Sequence, residues 1–255
     1  MFAPFALVTL LLAPFFAFGQ QTGLKTQPGI ELGVTLATYK YEEPSVAVTI
    51  EGYKGGVDFS GIVSARSDWF IRGDAKYEAG NTDYTGSGKK CCNPDWYYEL
   101  RGTVGRDFDQ GTSNWSPYLG LGYRYLFNDL RGRTSTNAAG YRRTSQYAYV
   151  PMGATYRFKL ESNARLATTL EYDYFLKGRQ KSYLADAGSS DLVNKQSSGY
   201  GIRGSMYYEK NNWSFGPWFH YWNISQSDTA SAGSVTGFEP DNKTSEVGLR
   251  LGFRF

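Results

Sequence analysis

The sequence predicts an all-β chain: a transmembrane antiparallel up-and-down β-barrel of about ten strands, with eight as the alternative count. Three observations lead there. From Ile30 onward, apolar residues alternate with polar or small ones in segments of roughly ten to fourteen residues, the signature of strands with two unlike faces. The connections between these segments alternate short and long, the loop pattern of a barrel with short periplasmic turns and long outer loops. Aromatic residues reach 17 %, with 21 Tyr, 16 Phe and 6 Trp, and they gather at segment ends. Composition removes the competing classes. A net charge of +3 from 27 basic and 24 acidic residues is too small and too evenly spread for a nucleic-acid partner. Disordered chains are poor in aromatics. Beyond the N-terminus no apolar run approaches the ~18 residues of a membrane helix.

Residues 1–19 read as a secretory signal peptide. They are apolar from Phe5 to Phe18 and close on Ala17-Phe18-Gly19, a small-x-small cleavage pattern near Gly19. No Lys or Arg precedes the apolar run, but Pro4 and Pro14 and the short length argue against a membrane span. Residues 20–29 then form a short periplasmic tail, and 30–255 the barrel. Strands are expected near 30–41, 56–66, 69–79, 95–108, 115–128, 145–158, 163–176, 197–209, 212–224 and 243–255. Short turns follow the second, fourth, sixth and eighth of them, and long polar loops follow the others, GNTDYTGSGKKCCNP among them. Strands of this length exceed the usual five or six residues of soluble sandwiches and suit the ~9–11 needed to cross a bilayer.

Parity assigns the faces. In the last strand Val247, Leu249, Leu251, Phe253 and Phe255 share one face, opposite Glu246, Arg250 and Arg254. Extended along the chain, the inward set contains Arg66, Arg72, Asp74, Lys76, Glu78, Glu99, Arg101, Asp107, Arg124, Arg157, Arg165, Glu171, Asp173, Arg203, Glu209, Glu246, Arg250 and Arg254. Both signs on one parity predict a salt-bridged, narrow lumen; charges facing lipid would cost ~2–4 kcal/mol each at mid-bilayer. Arg106 breaks the parity near the periplasmic end, where it can snorkel. Trp69, Phe108, Trp115, Phe158, Trp213 and Phe255 mark one interfacial girdle, and Tyr77, Trp96, Tyr98, Phe127, Tyr174 and Tyr200 the other.

Residues 246–255, EVGLRLGFRF, resemble the terminal strand of bacterial outer-membrane β-barrel proteins. The resemblance implies a Gram-negative outer-membrane location, contact with lipid and lipopolysaccharide, and reading of Val247, Leu249, Leu251, Phe253 and Phe255 by the barrel-assembly machinery. It specifies a class and no activity. Three readings stay open. The first is a surface-exposed structural or ligand-binding barrel, with Arg131, Arg133, Arg142, Arg143, Lys177, Arg179 and Lys181 as loop contacts for anionic lipid or an extracellular ligand. The second is a porin-like channel, for which ten strands lie near the side-chain-filled limit. The third is an outer-membrane enzyme of omptin-like or lipid-modifying type. Ten strands also resemble the omptin proteases, which place paired aspartates and an Asp–His couple at the barrel rim. This chain has one histidine, His220, with Trp218 where a neighbouring Asp is wanted, so a structural histidine in an aromatic girdle, facing lipid or packed among Trp218 and Trp222, is expected. Glu171 and Asp173 stand two apart on the inward face, where arginines account for them. No catalytic set, metal cluster, cofactor loop or nucleic-acid module emerges. Cys91 and Cys92 lie in a turn-rich segment, and adjacent cysteines join only through a strained ring. Metal binding by that pair, with no His nearby, has less support still.

Overall fold

In the computed structural model the described residues are 23–65, 68–160 and 163–255; the expected signal peptide, Arg66 and part of two turns lie outside them. Ten long strands form the wall: β1 Gly29–Glu43, β2 Val48–Ser64, β3 Trp69–Thr85, β4 Lys89–Arg106, β5 Ser113–Arg133, β6 Ala139–Lys159, β7 Ala164–Tyr183, β8 Gly199–Lys210, β9 Trp213–Ile224 and β10 Asn242–Arg254. Each pairs antiparallel with its neighbours in chain order. The sheet closes on itself where β1 meets β10, from Glu31↔Arg254 to Glu42↔Lys243. Closure leaves no unpaired edge, which is the condition for placing a sheet in lipid.

One end carries short connections, as at Asn211-Asn212, where Asn211 takes the left-handed conformation that a tight turn needs. The other end departs from the sequence expectation. Long loops after β1, β3 and β5 are replaced by strand. GNTDYTGSGKKCCNP is the top of a β3–β4 hairpin that turns only at Gly86–Gly88, and β5 and β6 are each 21 residues long. About 9–11 tilted residues cross a bilayer, so roughly half of these strands stands beyond it. Long connections remain only after β7 and β9. The first holds the short strand Leu192–Gln196, which pairs with β7. The second holds a small hairpin of Ala230–Ala232 and Val235–Gly237.

The outward face is apolar over a continuous belt: Leu32, Val34 and Leu36 on β1, Val57 and Phe59 on β2, Leu119 and Leu121 on β5, Val247, Leu249 and Leu251 on β10, all exposed. On β4 the belt runs from Arg106 to Trp96, about ten residues. At ~3.4 Å per residue and a tilt near 40°, that spans ~26 Å, the height of an outer-membrane barrel's apolar band. Aromatics bound it. Trp96 stacks with Tyr125 and Phe127 at centroid distances of 5.6 and 5.3 Å, and Tyr98 with Tyr125 at 5.3 Å. At the short-turn end Trp213 packs edge-on against Phe253 at 4.8 Å. Arg106 now has an account: its guanidinium lies over Phe108 at 5.1 Å and Trp69 at 5.9 Å, at the interface and clear of the belt's middle.

This belt makes a measurable demand. Val34→Arg, at mid-belt, is expected to destabilise the barrel folded in lipid vesicles by ~2–4 kcal/mol. Urea titration of the folded band checks it, and an unchanged midpoint would show that Val34 does not face hydrocarbon.

Candidate functional site

The interior is filled in layers. At the short-turn mouth, residues 23–28 fold back into the barrel. The Thr26 amide and hydroxyl both donate to the Asp107 carboxylate, at 3.0 and 2.9 Å, and Asn114 and Ser116 donate to it at 2.8 and 2.6 Å. Arg157 reaches Ser116 and Thr26 from the adjacent strand β6, and Arg165 donates to the Gly23 carbonyl at 2.7 Å. Above this plug Arg250 bridges Glu31 and Asp58 at 2.7 and 2.6 Å, Arg254 holds the second oxygen of Glu31 at 2.6 Å, and Arg72 pairs with Asp74 at 2.7 Å.

The middle layer is built on two arginines. Arg203 on β8 spans the lumen to Glu99 on β4 at 2.9 Å and meets Asp173 on the neighbouring β7 at 2.6 Å and the Tyr149 hydroxyl at 2.9 Å. Arg101 pairs with Glu171, which also accepts from Tyr118 at 2.6 Å. Arg124 on β5 pairs across the lumen with Glu246 on β10 at 2.5 Å, and its guanidinium lies 3.8 Å from the centre of the Tyr97 ring. The Tyr97 hydroxyl lies between Glu246 and Glu78, 2.9 Å from each, with its one proton shared between them. Lys54 pairs with Asp95 at 2.5 Å beneath the Tyr39 ring, and Lys76 lies over Trp218. Arg72, Asp74, Glu99, Arg101, Arg124, Glu171, Asp173, Arg203 and Arg250 therefore all point inward. Between the plug and this layer an internal cavity of about 210 Å³ remains, lined among others by Arg101, Ser205, Trp218 and His220.

Of the two expected settings for His220, the structure shows the packed one: its ring lies 5.3 Å from that of Trp222. It does not face lipid; it is buried in the lumen at 4 % exposure, on the parity opposite the outward Phe215 and Phe219. Its Nδ1 accepts from Arg124 at 3.1 Å. An arginine can only donate, so the geometry fixes the neutral Nε2–H tautomer. Nε2 then faces Asp173 Oδ2 at 3.6 Å. The acidic neighbour missing along the sequence comes from β7, one strand removed.

The far end closes with side chains. Tyr147, Tyr149, Phe175, Trp222 and Ile224 form one buried cluster and Tyr39, Tyr41, Ile50 and Leu130 another. Gly122 makes room for Tyr149: a Cβ there would stand 2.2 Å from its ring. Arg143, expected as a surface contact, is buried here instead. It pairs with Glu239, Glu43 at 2.8 Å and the Tyr41 hydroxyl at 2.9 Å, because its odd parity on β6 aims it inward and the β9–β10 connection folds Glu239 over it.

The other surface cations stand on strand walls rather than loops. Arg131 is occupied by Asp129 and Arg142 by Asp186, at 2.6 and 2.8 Å, and Lys181 by Asp191 at 3.1 Å. Arg133 donates to the Asn137 carbonyl. Lys177, Arg179 and, unforeseen from sequence, Lys195 are exposed and form no ion pair among the described residues. Register sets Arg179 beside Lys195 and Gln146, and Gln146 beside Tyr125 of the stacked aromatic column. The free cations thus flank the upper aromatic girdle on the outward face.

A closed ten-stranded sheet with an apolar outer belt and an ion-paired interior defines the class: a membrane-spanning β-barrel with the fold of outer-membrane proteins. No known family profile matches the chain, and no curated protein matches it in sequence. Among solved structures it is similar to the outer membrane protease OmpT from Escherichia coli, at 10 % identity over 89 % of this chain and 97 % of that one, with a TM-score of 0.57. The toluene transporter TodX from Pseudomonas putida follows at 9 % identity over 90 % of each chain and a TM-score of 0.38. Ail from Yersinia pestis shows 10 % identity over 90 % of this chain and all of that one, with a TM-score of 0.35. The first of these shows a shared fold; no residue role follows from it.

Two outcomes test this interior and its rim. Arg124→Leu leaves Glu246 buried without its partner and is expected to cost ~3–5 kcal/mol, whereas Arg124→Leu with Glu246→Leu costs markedly less; equal losses in urea titrations would show that the pair is not coupled. At the rim, hydrogen bonding from Arg142 holds Asp186 down to about 2. A depressed carboxylate contributes stability above its unfolded value, which is lost as pH falls through the folded one. Protection of the Arg142 amide, which donates to Asp186 at 3.0 Å, measured relative to the intrinsic exchange rate at each pH, should therefore hold at pH 4 and fall towards pH 2. Loosening already complete at pH 4 would contradict the contact.

Proposed function

We propose that this chain is an integral outer-membrane β-barrel whose lumen is sealed and whose work is done on its outward and far-end surfaces, as a structural or ligand-binding surface protein. One observation carries the reading: side chains cross the interior at three levels, the Thr26–Asp107 plug, the Arg203 and Arg124 networks, and the Trp222–Tyr149 cluster, with a cavity only between the first two. A solute path would have to break buried ion pairs at several levels. The free cations Lys177, Arg179 and Lys195, placed at the upper aromatic girdle, suit the phosphates of outer-leaflet lipid, with acyl chains lying on the apolar belt below.

A hydrolytic reading has one observation in its favour, the His220–Asp173 approach. Its support is weaker, because Asp173 is held by Arg203, His220 Nδ1 by Arg124, and the aromatic cluster lies between the pair and the far end.

Planar-bilayer recording of purified protein that shows a heat-shifted folded band tests the sealed lumen. The expected trace has no sustained step conductance. Reproducible steps from the wild-type chain would overturn the reading in favour of a channel.

A further inference from the structure

The β3–β4 hairpin pairs regularly as far as Thr82↔Asn93 and resumes at Tyr84↔Lys90. In between, Asp83 alone opposes two residues, Cys91 and Cys92, which is the two-against-one count of a β-bulge. Cys92 has φ 63°, a left-handed conformation that residues with a Cβ seldom enter. Its amide donates to Asp83 Oδ1 at 3.1 Å, which holds it there. Successive side chains of a regular strand point to opposite faces. The bulge cancels that alternation, and the two Sγ atoms stand 2.9 Å apart on the exposed surface beyond the apolar belt. Besides the strain of the ring, a regular strand aims adjacent cysteines apart, and here the bulge has removed that second obstacle.

We propose that Cys91 and Cys92 form a redox modification site that closes to a disulfide between adjacent residues; this rests on the reading that the far end faces an oxidising exterior. The oxidant is itself a disulfide, R–S–S–R. One cysteine thiolate attacks it, forms a mixed disulfide and releases one RS⁻. The second thiolate attacks the bonded cysteine sulfur, forms the Cys91–Cys92 bond and releases the other RS⁻. Two electrons pass to the oxidant, and the two thiol protons end on the two released thiolates. Adjacent Cα atoms are ~3.8 Å apart across a trans peptide, below the ~4.4 Å lower bound of ordinary disulfides. The ring is therefore strained, and an excess of reducing thiol reopens it.

The test uses the full chain isolated from cell envelopes after trapping free thiols with N-ethylmaleimide, and the purified folded barrel treated with glutathione disulfide. Intact mass is read with and without prior reduction. The site predicts no maleimide adduct before reduction, two after it, a monomer on a non-reducing gel, and a peptide spanning 89–106 two hydrogens lighter than its reduced form. Cys91→Ser and Cys92→Ser should each leave one thiol that labels without reduction. Asp83→Ala, which frees the Cys92 amide, should lower the oxidised-to-reduced ratio at fixed glutathione buffer by about threefold or more. Two adducts before reduction in both preparations, lasting glutathione adducts on the cysteines, or a covalent dimer would each overturn the proposal. A heat-shifted band from the same sample reports the barrel separately, so its loss marks failure of the membrane reading rather than of the thiol site.

Discussion

The architecture depends on the need to satisfy charges inside a closed sheet. Ten strands at this tilt enclose a volume that side chains nearly fill, and every second residue of every strand projects into it. Arg203 and Arg124 are where that constraint is met. Each guanidinium has several fixed donors and no way to shed its charge, so each needs carboxylates from other strands at matched heights. Glu99, Asp173 and Glu246 supply them across and along the wall. An ion pair spanning the lumen ties together strands that share no backbone hydrogen bond. Removing one member leaves its partner buried and unpaired, which is far costlier than the pair is stabilising. The network is thus less a source of net stability than a specification of register: slipping one strand by a residue would turn its charges into lipid and its apolar belt into the lumen.

How much of this was legible in the sequence follows from the same period-two rule. Where one face meets hydrocarbon and the other meets charge, contrast is strong, and the positions of all ten strands emerge, β10 most clearly. Beyond the membrane the outward face turns polar while the inward face mixes polar and aromatic residues, so the contrast fades. The upper halves of β3, β4, β5 and β6 consequently read as loops, although their pairing continues to Thr85, Lys89, Arg133 and Ala139. Arg143 is hidden for that reason: its segment reads as a loop, where inward parity carries no weight. His220 was a different omission. The parity of Phe215 and Phe219 already aims it inward, but its neighbour Asp173 comes from a non-adjacent strand, and only register reveals that. Lys54 and Asp95 fall in stretches taken as loop or strand end. Their pairing through the lumen depends on the closure of the sheet, which no local pattern encodes.

The functional reading and the interior are two sides of one fact. On the proposed reading, the lumen's arginines and carboxylates are engaged with one another rather than left to line a wet channel, and side chains cross the mouth at Thr26 and the far end at Trp222, Tyr149 and the Arg143–Glu239 pair. Among the described residues, Lys177, Arg179 and Lys195 form no ion pair and stand on the outside, beside the upper aromatic girdle. Charge is thereby divided between an inner set that organises the barrel and an outer set left free for what surrounds it.

The account rests on the lumen being closed at both ends, and access from water tests that most directly. In a Cys91→Ser/Cys92→Ser background, Ser205→Cys places a single thiol on the wall of the internal cavity. A membrane-impermeant, charged thiol reagent applied to barrels folded in vesicles should leave it unmodified, with full labelling only after denaturation. Rapid labelling of the folded barrel from either side would contradict the sealed interior.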